Sequence, residues 1–314
     1  MVLKIIFFGS PSYTHFIIDE ILKQKYDLQT VITQDSKIGK RGKIQKTPVE
    51  IYSDIININC LKPKNLQDKD LINILSDMRP DLFIIYSYGK ILPKDLINIP
   101  KYGALNIHCS LLPKWRGAAP IQRALLNGDK KTGITFFKID ENLDTGDIIS
   151  SFDYVIKADD DTLTLQTNLS KLAASKLNDV IKLIKNNSVL IKQNNNESLY
   201  ARKIHKSEAQ IEWNDTGKNI LNQIRAFVEW PIAEANIINN TIKISSASYA
   251  QSKHSNKPGE ILGFSKDGLS IAVNDGIIII HKLQLPSRNM ITAGDLYNSN
   301  ENLSKSLKKI LNIR

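Results

Sequence analysis

Apolar positions in the first 185 residues fall into two kinds of run. Short, nearly unbroken ones occupy Leu3–Phe8, Leu28–Thr33, Leu82–Tyr86, Gly103–His108, Thr132–Lys138 and Ile148–Val155, and these read as strands. Between them the apolar residues recur at helical spacing. One helix opens at Ser12 and runs to about residue 25, and others cover Asp68–Met78, Pro120–Asn127 and Leu163–Lys185. Thr47-Pro48-Val49-Glu50 starts one more, as a capping box with proline in the first helical position. Strands apolar on both faces, alternating with helices, predict an α/β fold. The expected architecture is a Rossmann-like, doubly wound, mostly parallel sheet covered on both sides.

The pattern changes after Lys185. Asn186-Asn187-Ser188 and Gln193-Asn194-Asn195-Asn196 are polar breakers, so residues 187–206 read as a linker between domains at 1–186 and 207–314. The second domain begins with a helix over Thr216–Phe227, stopped by Pro231. Five short strands follow at 233–238, 242–249, 259–263, 269–273 and 276–283. Asn239-Asn240, Pro258-Gly259, Asp267-Gly268 and Asp275-Gly276 mark turns between them, a spacing that predicts a small OB-like β-barrel. The pattern leaves Leu303–Arg314 open between a docked helix and a basic tail.

A length of 314 residues agrees with two domains, and 42% hydrophobic with 24% charged residues is the balance of a globular chain. No apolar run approaches the roughly 18–20 residues that cross a bilayer, and Met1–Gly9 reads as a strand rather than a signal peptide. A cytoplasmic protein with no membrane partner is expected, with a monomer as the default. Cys60 and Cys109 form neither a disulfide framework nor a metal-ligand pattern, so no metal is expected. The net charge is +10, and residues 1–206 carry 30 basic against 22 acidic side chains. Such an excess favours a polyanionic partner. Part of it lies in Asp35–Thr47, where five of 13 residues (Lys37, Lys40, Arg41, Lys43 and Lys46) are basic. Connections that long are uncommon in parallel sheets, and a basic one suits phosphate contacts.

The turn after the first strand, Gly9-Ser10-Pro11-Ser12-Tyr13, lacks the glycines that let a backbone approach a pyrophosphate. A nicotinamide or flavin cofactor is therefore not expected. Asn106-Ile107-His108-Cys109 lies at the end of a buried strand, where ligands of parallel sheets bind. Asn106 and His108 share a face, and Cys109 points away, so Cys109 and His108 do not form a nucleophile pair. An amide beside an imidazole suits polarising a carbonyl and holding an oxyanion, although a satisfied, part-buried histidine would have the same spacing. Asp140-Glu141-Asn142-Leu143-Asp144-Thr145-Gly146-Asp147 is too imperfect for a calcium loop, with threonine at position 6 and serine at position 12. One of its carboxylates can sit against His108, raise its pKa and orient it. Position alone does not choose among Asp140, Asp144 and Asp147. Trp115 and Arg116 lie in the loop leaving the His108 strand, placed either to contact a ligand or to join the core.

Taken together, Asn106-x-His108, Ser110-Leu111-Leu112-Pro113, Arg116-Gly117-Ala118-Ala119-Pro120 and Leu143-Asp144-Thr145-Gly146-Asp147 resemble the formyltransferase family. The resemblance implies that 10-formyltetrahydrofolate is the formyl donor and that Asn106, His108 and Asp144 form a catalytic trio. It implies folate contacts from Ser110, Leu111, Leu112 and Pro113, and from Ile91 and Leu92 within Tyr88-Gly89-Lys90-Ile91-Leu92-Pro93. Lys40-Arg41-Gly42-Lys43 is similar to a family loop that enters the acceptor end of initiator tRNA, so Lys40, Arg41 and Lys43 are expected RNA contacts. Glu208–Trp213 and Ile224–Phe227 resemble the start of a C-terminal tRNA-binding domain. The implied acceptor is the methionine amine of initiator methionyl-tRNA, which would attack the formyl carbon directly. Two positions depart from the family pattern. Val228-Glu229-Trp230-Pro231 replaces the usual Asn-Pro-Trp-Pro, and Asn142 stands where glycine is usual.

Overall fold

The chain enters on β1 (Lys4–Gly9), whose Ile5, Ile6, Phe7 and Phe8 are wholly buried, as a strand covered on both faces requires. The structure is a computed structural model that describes residues 2–35, 37–38 and 44–313. A single 3-10 turn at Ser12–Thr14 precedes α1 (His15–Lys23), so the helix starts later than Ser12. Next come β2 (Asp27–Ile32), the antiparallel pair β3 (Lys37–Ile38) and β4 (Ile44–Gln45), and α2 (Pro48–Ile55). Thr47 caps α2 by accepting from the Glu50 amide at 3.1 Å, and the Glu50 carboxylate meets Lys62 at 2.5 Å.

The remaining elements of the first part are β5 (Cys60–Leu61), α3 (Lys69–Asp77, capped by Asp68), β6 (Leu82–Tyr86), α4 (Lys94–Ile97), β7 (Ala104–His108) and β8 (Arg116–Gly117). Then follow α5 (Pro120–Leu126), β9 (Lys131–Lys138), β10 (Ile148–Val155), α6 (Thr162–Lys185) and β11 (Tyr200–Ala201). Seven strands form one sheet in the order β10-β9-β7-β6-β1-β2-β5. Pairs from β5 to β7 are parallel, and β9 and β10 add on antiparallel. This is the Rossmann-like, doubly wound, mostly parallel sheet expected from the apolar runs. Its order reverses between β1 and β6, which opens a crevice beyond the carboxyl ends of these strands.

Contacts divide the chain into two units. The first comprises Met1–Pro120, Lys131–Ile156 and Gln166–Arg202, and the second Ile121–Lys130, Lys157–Leu165 and Lys203–Arg314. Within the first, residues 191–201 are tied down. Ile191 exchanges two 2.8 Å backbone hydrogen bonds with Ile148, and β11 pairs parallel with β8.

The second unit holds α7 (Gly217–Ala226) and six strands: β12 (Glu234–Ile237), β13 (Asn240–Gln251), β14 (Ile261–Phe264), β15 (Leu269–Val273), β16 (Gly276–Gln284) and β17 (Met290–Thr292). They form a curled antiparallel half-barrel in the order β12-β13-β16-β15-β14, with β17 on β16. Two register shifts around Ser246 bend the long β13, the usual effect of bulges. Arg123 grips Glu208 through two bonds of 2.6 and 3.0 Å, and the Thr162 hydroxyl donates to the Ala226 carbonyl at 2.7 Å. α8 (Ala293–Asn298) and α9 (Asn302–Ile310) close the unit, and the buried Leu303 and Leu307 make α9 a docked helix. Among the described residues no helix is long and apolar enough to cross a membrane.

Leu177 on α6 is fully buried. Leu177→Ala is expected to destabilise the protein by roughly 2–5 kcal/mol through lost burial and a residual cavity. Denaturant unfolding measures this, and a loss below about 1 kcal/mol would show that the site relaxes or is not packed as described.

Candidate active site

The crevice at the strand-order reversal is a cleft of about 460 Å³, within the range of ligand sites. Pro11 and Tyr13 line it from the turn after β1, Tyr88 and Leu92 from the segment after β6, and Asn106 and His108 from the end of β7. Phe137, Ile139 and Asp144 also face it. Ile91 and Leu143 belong to the lining yet are 74% and 49% exposed, large apolar surfaces that a ligand would cover. Among the described residues the Asn106 side chain makes no hydrogen bond, so its amide is available to the cleft. The Tyr88 hydroxyl is buried without a hydrogen-bond partner, and burial pushes its pKa up to about 12. An amphipathic ring system the size of a pterin fits this mix of apolar wall and unengaged polar groups.

Asn106 and His108 meet the cleft together because alternate residues of β7 share a face. His108 is 7% exposed. Its Nε2 donates to the Trp115 carbonyl at 2.7 Å, which assigns a proton to that nitrogen because a carbonyl only accepts. Nδ1 then faces Asp144 Oδ2 at 3.6 Å, close but beyond a direct hydrogen bond. Asp144 Oδ2 also accepts from the Gly117 amide at 2.8 Å.

Geometry separates the three acidic candidates. The Asp140 carboxylate accepts from the Asn142 amide at 3.0 Å and from the Thr145 hydroxyl at 2.8 Å, which shapes the loop. Asp147 is outside the cleft lining, and only Asp144 faces His108. The left-handed residue of this loop is Asp144, with φ 54°, so the asparagine at 142 does not occupy a position that demands glycine. Gly146 is the constrained glycine: a Cβ there would lie 1.7 Å from the Lys138 carbonyl.

Of the expected folate contacts, Ile91 and Leu92 line the cleft, and Ser110, Leu111, Leu112 and Pro113 follow directly on the His108 end of β7. β7 ends at His108, and the chain then turns inward, held by Thr135. The Thr135 hydroxyl donates to the Ser110 carbonyl at 2.7 Å and accepts from the Leu112 amide at 3.1 Å. Leu112 packs in a buried cluster with Phe137, so this stretch supports the cleft wall from behind. Trp115 is half-buried and gives its carbonyl to His108. Arg116 is 2% exposed and is committed to Gln193 and Asn195 rather than to the cleft. Lys40, Arg41 and Lys43 lie outside the described residues. The sequence signal for Pro11 and Tyr13 is their place in the first βα turn. For Phe137, near the end of β9, and Ile139, just beyond it, no local signal exists.

Residues 3–181 match the formyl transferase family and residues 203–301 its C-terminal domain. The chain belongs to the formyl transferase family. It is 34% identical to the methionyl-tRNA formyltransferase of Legionella pneumophila (strain Corby) over 299 residues, covering 95% of each chain. With the methionyl-tRNA formyltransferase of Coxiella burnetii (strain RSA 331 / Henzerling II) it shares 37% identity over 301 residues, 95% of this chain and 96% of that one. Among solved structures, HypX from Aquifex aeolicus in complex with tetrahydrofolic acid superposes with a TM-score of 0.69 at 15% identity, which speaks to fold alone. That match takes in 95% of this chain and 47% of HypX, so the chain spans about half the length of that protein.

Cys109 adjoins His108 and is among the residues that line the cleft, yet it is buried, with its Sγ 3.4 Å from the Tyr86 hydroxyl. Burial pushes its thiol up to about 11, so it stays neutral and unreactive near neutral pH. At pH 8 a thiol reagent is expected to spare Cys109 in the folded protein and to modify both cysteines after denaturation, with peptide mass mapping as the readout. Rapid labelling of Cys109 in the folded state would contradict this placement.

Proposed function

We propose that the chain transfers the formyl group of 10-formyltetrahydrofolate to the amine of methionine on initiator methionyl-tRNA. The observation that carries this reading is the meeting of Asn106, His108 and Asp144 at one cleft. The near full-length identity to methionyl-tRNA formyltransferases supports the choice of acceptor. A monomer is the default oligomeric state, and an acceptor used in translation fits a cytoplasmic location.

The donor, when bound, supplies an activated one-carbon unit for direct attack by the amine. Ile91, Leu92, Phe137 and Ile139 bury its ring system and exclude water. The Asn106 amide donates a hydrogen bond to the formyl oxygen and holds the negative charge that grows there. His108 keeps its Nε2 proton on Trp115, so Nδ1 is the atom that exchanges a proton during transfer. Asp144 stabilises the imidazolium that results and helps pass the amine's proton towards the donor nitrogen that leaves. Lys40, Arg41 and Lys43 contact phosphates at the tRNA acceptor end. The C-terminal unit, whose residues 207–314 carry 12 basic and 10 acidic side chains, adds RNA contacts through shape more than charge.

The test combines protein, 10-formyltetrahydrofolate and charged initiator tRNA and looks for formyl-methionine. Elongator tRNA, an amino-sugar nucleotide and an acceptor-free control run in parallel. Formylation only with the initiator is expected. A formylated sugar, or free formate without acceptor, would reassign the chain to a small-amine formyltransferase or a deformylase. Asn106→Ala and His108→Ala are each expected to lower kcat by about 10²–10³, or roughly 3–4 kcal/mol of barrier, with little change in donor affinity. Turnover within a few-fold of wild type would remove the altered residue from the mechanism. Replacing Lys40, Arg41 and Lys43 with alanine should flatten the slope of log affinity for tRNA against log salt by about 0.7–0.9 per lost phosphate contact. An unchanged slope would take the loop out of the RNA site.

A further inference from the structure

Gln193 lies in the polar run Gln193-Asn194-Asn195-Asn196, which reads as linker by composition. In the fold its side chain sits between a buried cation and the loop that carries Asp144. Its Nε2 donates to the Asp144 carbonyl at 3.0 Å and to the Gly146 carbonyl at 2.7 Å. Its Oε1 accepts from Arg116 Nε at 3.0 Å and Nη2 at 2.8 Å. Arg116 forms no ion pair among the described residues, and its other acceptor is the Asn195 side chain at 2.9 Å. A buried guanidinium without a carboxylate partner is costly, so its charge must be spread through the amides it touches. Polarising the Gln193 amide strengthens the two bonds its nitrogen makes.

The same dipeptide reaches Asp144 from a second side, because the Gly117 amide holds Oδ2 at 2.8 Å. Arg116–Gly117 is itself fixed by pairing with Tyr200–Ala201. Asp144 is thus gripped at its carboxylate by Gly117 and at its carbonyl by Gln193, in a left-handed conformation that non-glycine residues seldom adopt. The residue needs such restraint, because its carboxylate stops 3.6 Å from His108 with no direct bond to register it.

We propose that Gln193, anchored by buried Arg116, is a positioning residue that registers the Asp144 carboxylate against His108. This rests on the formyl-transfer reading above. Gln193→Glu separates positioning from stability: the carboxylate keeps both bonds to Arg116 but loses both N–H donors and sets an anionic oxygen against the Asp144 and Gly146 carbonyls. The expected result is a melting temperature at or above that of wild type and a kcat lower by about 10- to 100-fold. The KM for the folate donor should stay within about 2-fold, because the donor's wall is untouched. Gln193→Ala should match the fall in kcat but also lose thermal stability. A double-mutant cycle identifies the route of action: Asp144→Asn with Gln193→Glu should be no slower than Asp144→Asn alone. A wild-type kcat in Gln193→Glu, or a double variant slower by the product of both effects, overturns the positioning role while wild-type formylation of initiator tRNA stands. If the wild type forms no formyl-methionine, the functional reading and this inference fall together.

Discussion

A buried imidazole is useful at a strand end only if its protons are placed, and the hydrogen bond from His108 Nε2 to the Trp115 carbonyl places them. That bond settles which ring nitrogen is free to exchange a proton. It leaves Nδ1 towards Asp144, on the same face as Asn106. Everything nearby serves this arrangement. Trp115 adopts φ 62° so that the chain leaving β7 can turn its carbonyl back onto the ring. Thr135 holds the turn, and Phe137 stands edge-on to the imidazole with ring centroids 6.5 Å apart.

The division of labour follows from sheet topology. The reversal of strand order supplies a crevice, and three segments after parallel strands reach it from different directions. Leu105 and Ile107 of β7 are buried in the core while Asn106 and His108 reach the cleft, so one strand serves both. The first βα turn, without dinucleotide glycines, contributes Pro11 and Tyr13 as wall rather than as a phosphate cradle. A doubly wound sheet therefore hosts one-carbon chemistry here without the phosphate-binding device often built on it.

Period and punctuation made much of this legible. Unbroken apolar runs foretold the sheet, and alternation in Asn106-x-His108 foretold the face that these two residues share at the cleft. What escaped the sequence depends on long-range closure. Asp140, Asp144 and Asp147 are equivalent by spacing, and only the fold shows Asp140 spent on Thr145 and Asn142. The backbone of Ser110–Pro113 is held by a threonine 23–25 residues away, a restraint that no local pattern shows. Gln193 sits in a run of amides typical of linkers. Its bonds go to residues 47, 49 and 77 positions distant, which no local pattern reveals. Lys40, Arg41 and Lys43 lie outside the described residues and rest on charge and resemblance.

A crystal structure with a stable formylated tetrahydrofolate bound tests the central geometry most directly. The account predicts the pterin in the cleft against Ile91 and Leu92, and the formyl oxygen at roughly 3 Å from the Asn106 amide. His108 Nδ1 should lie beside the formyl carbon, with Asp144 behind it. A formyl group bound elsewhere, with Asn106 and His108 beyond hydrogen-bond reach of it, would contradict the account.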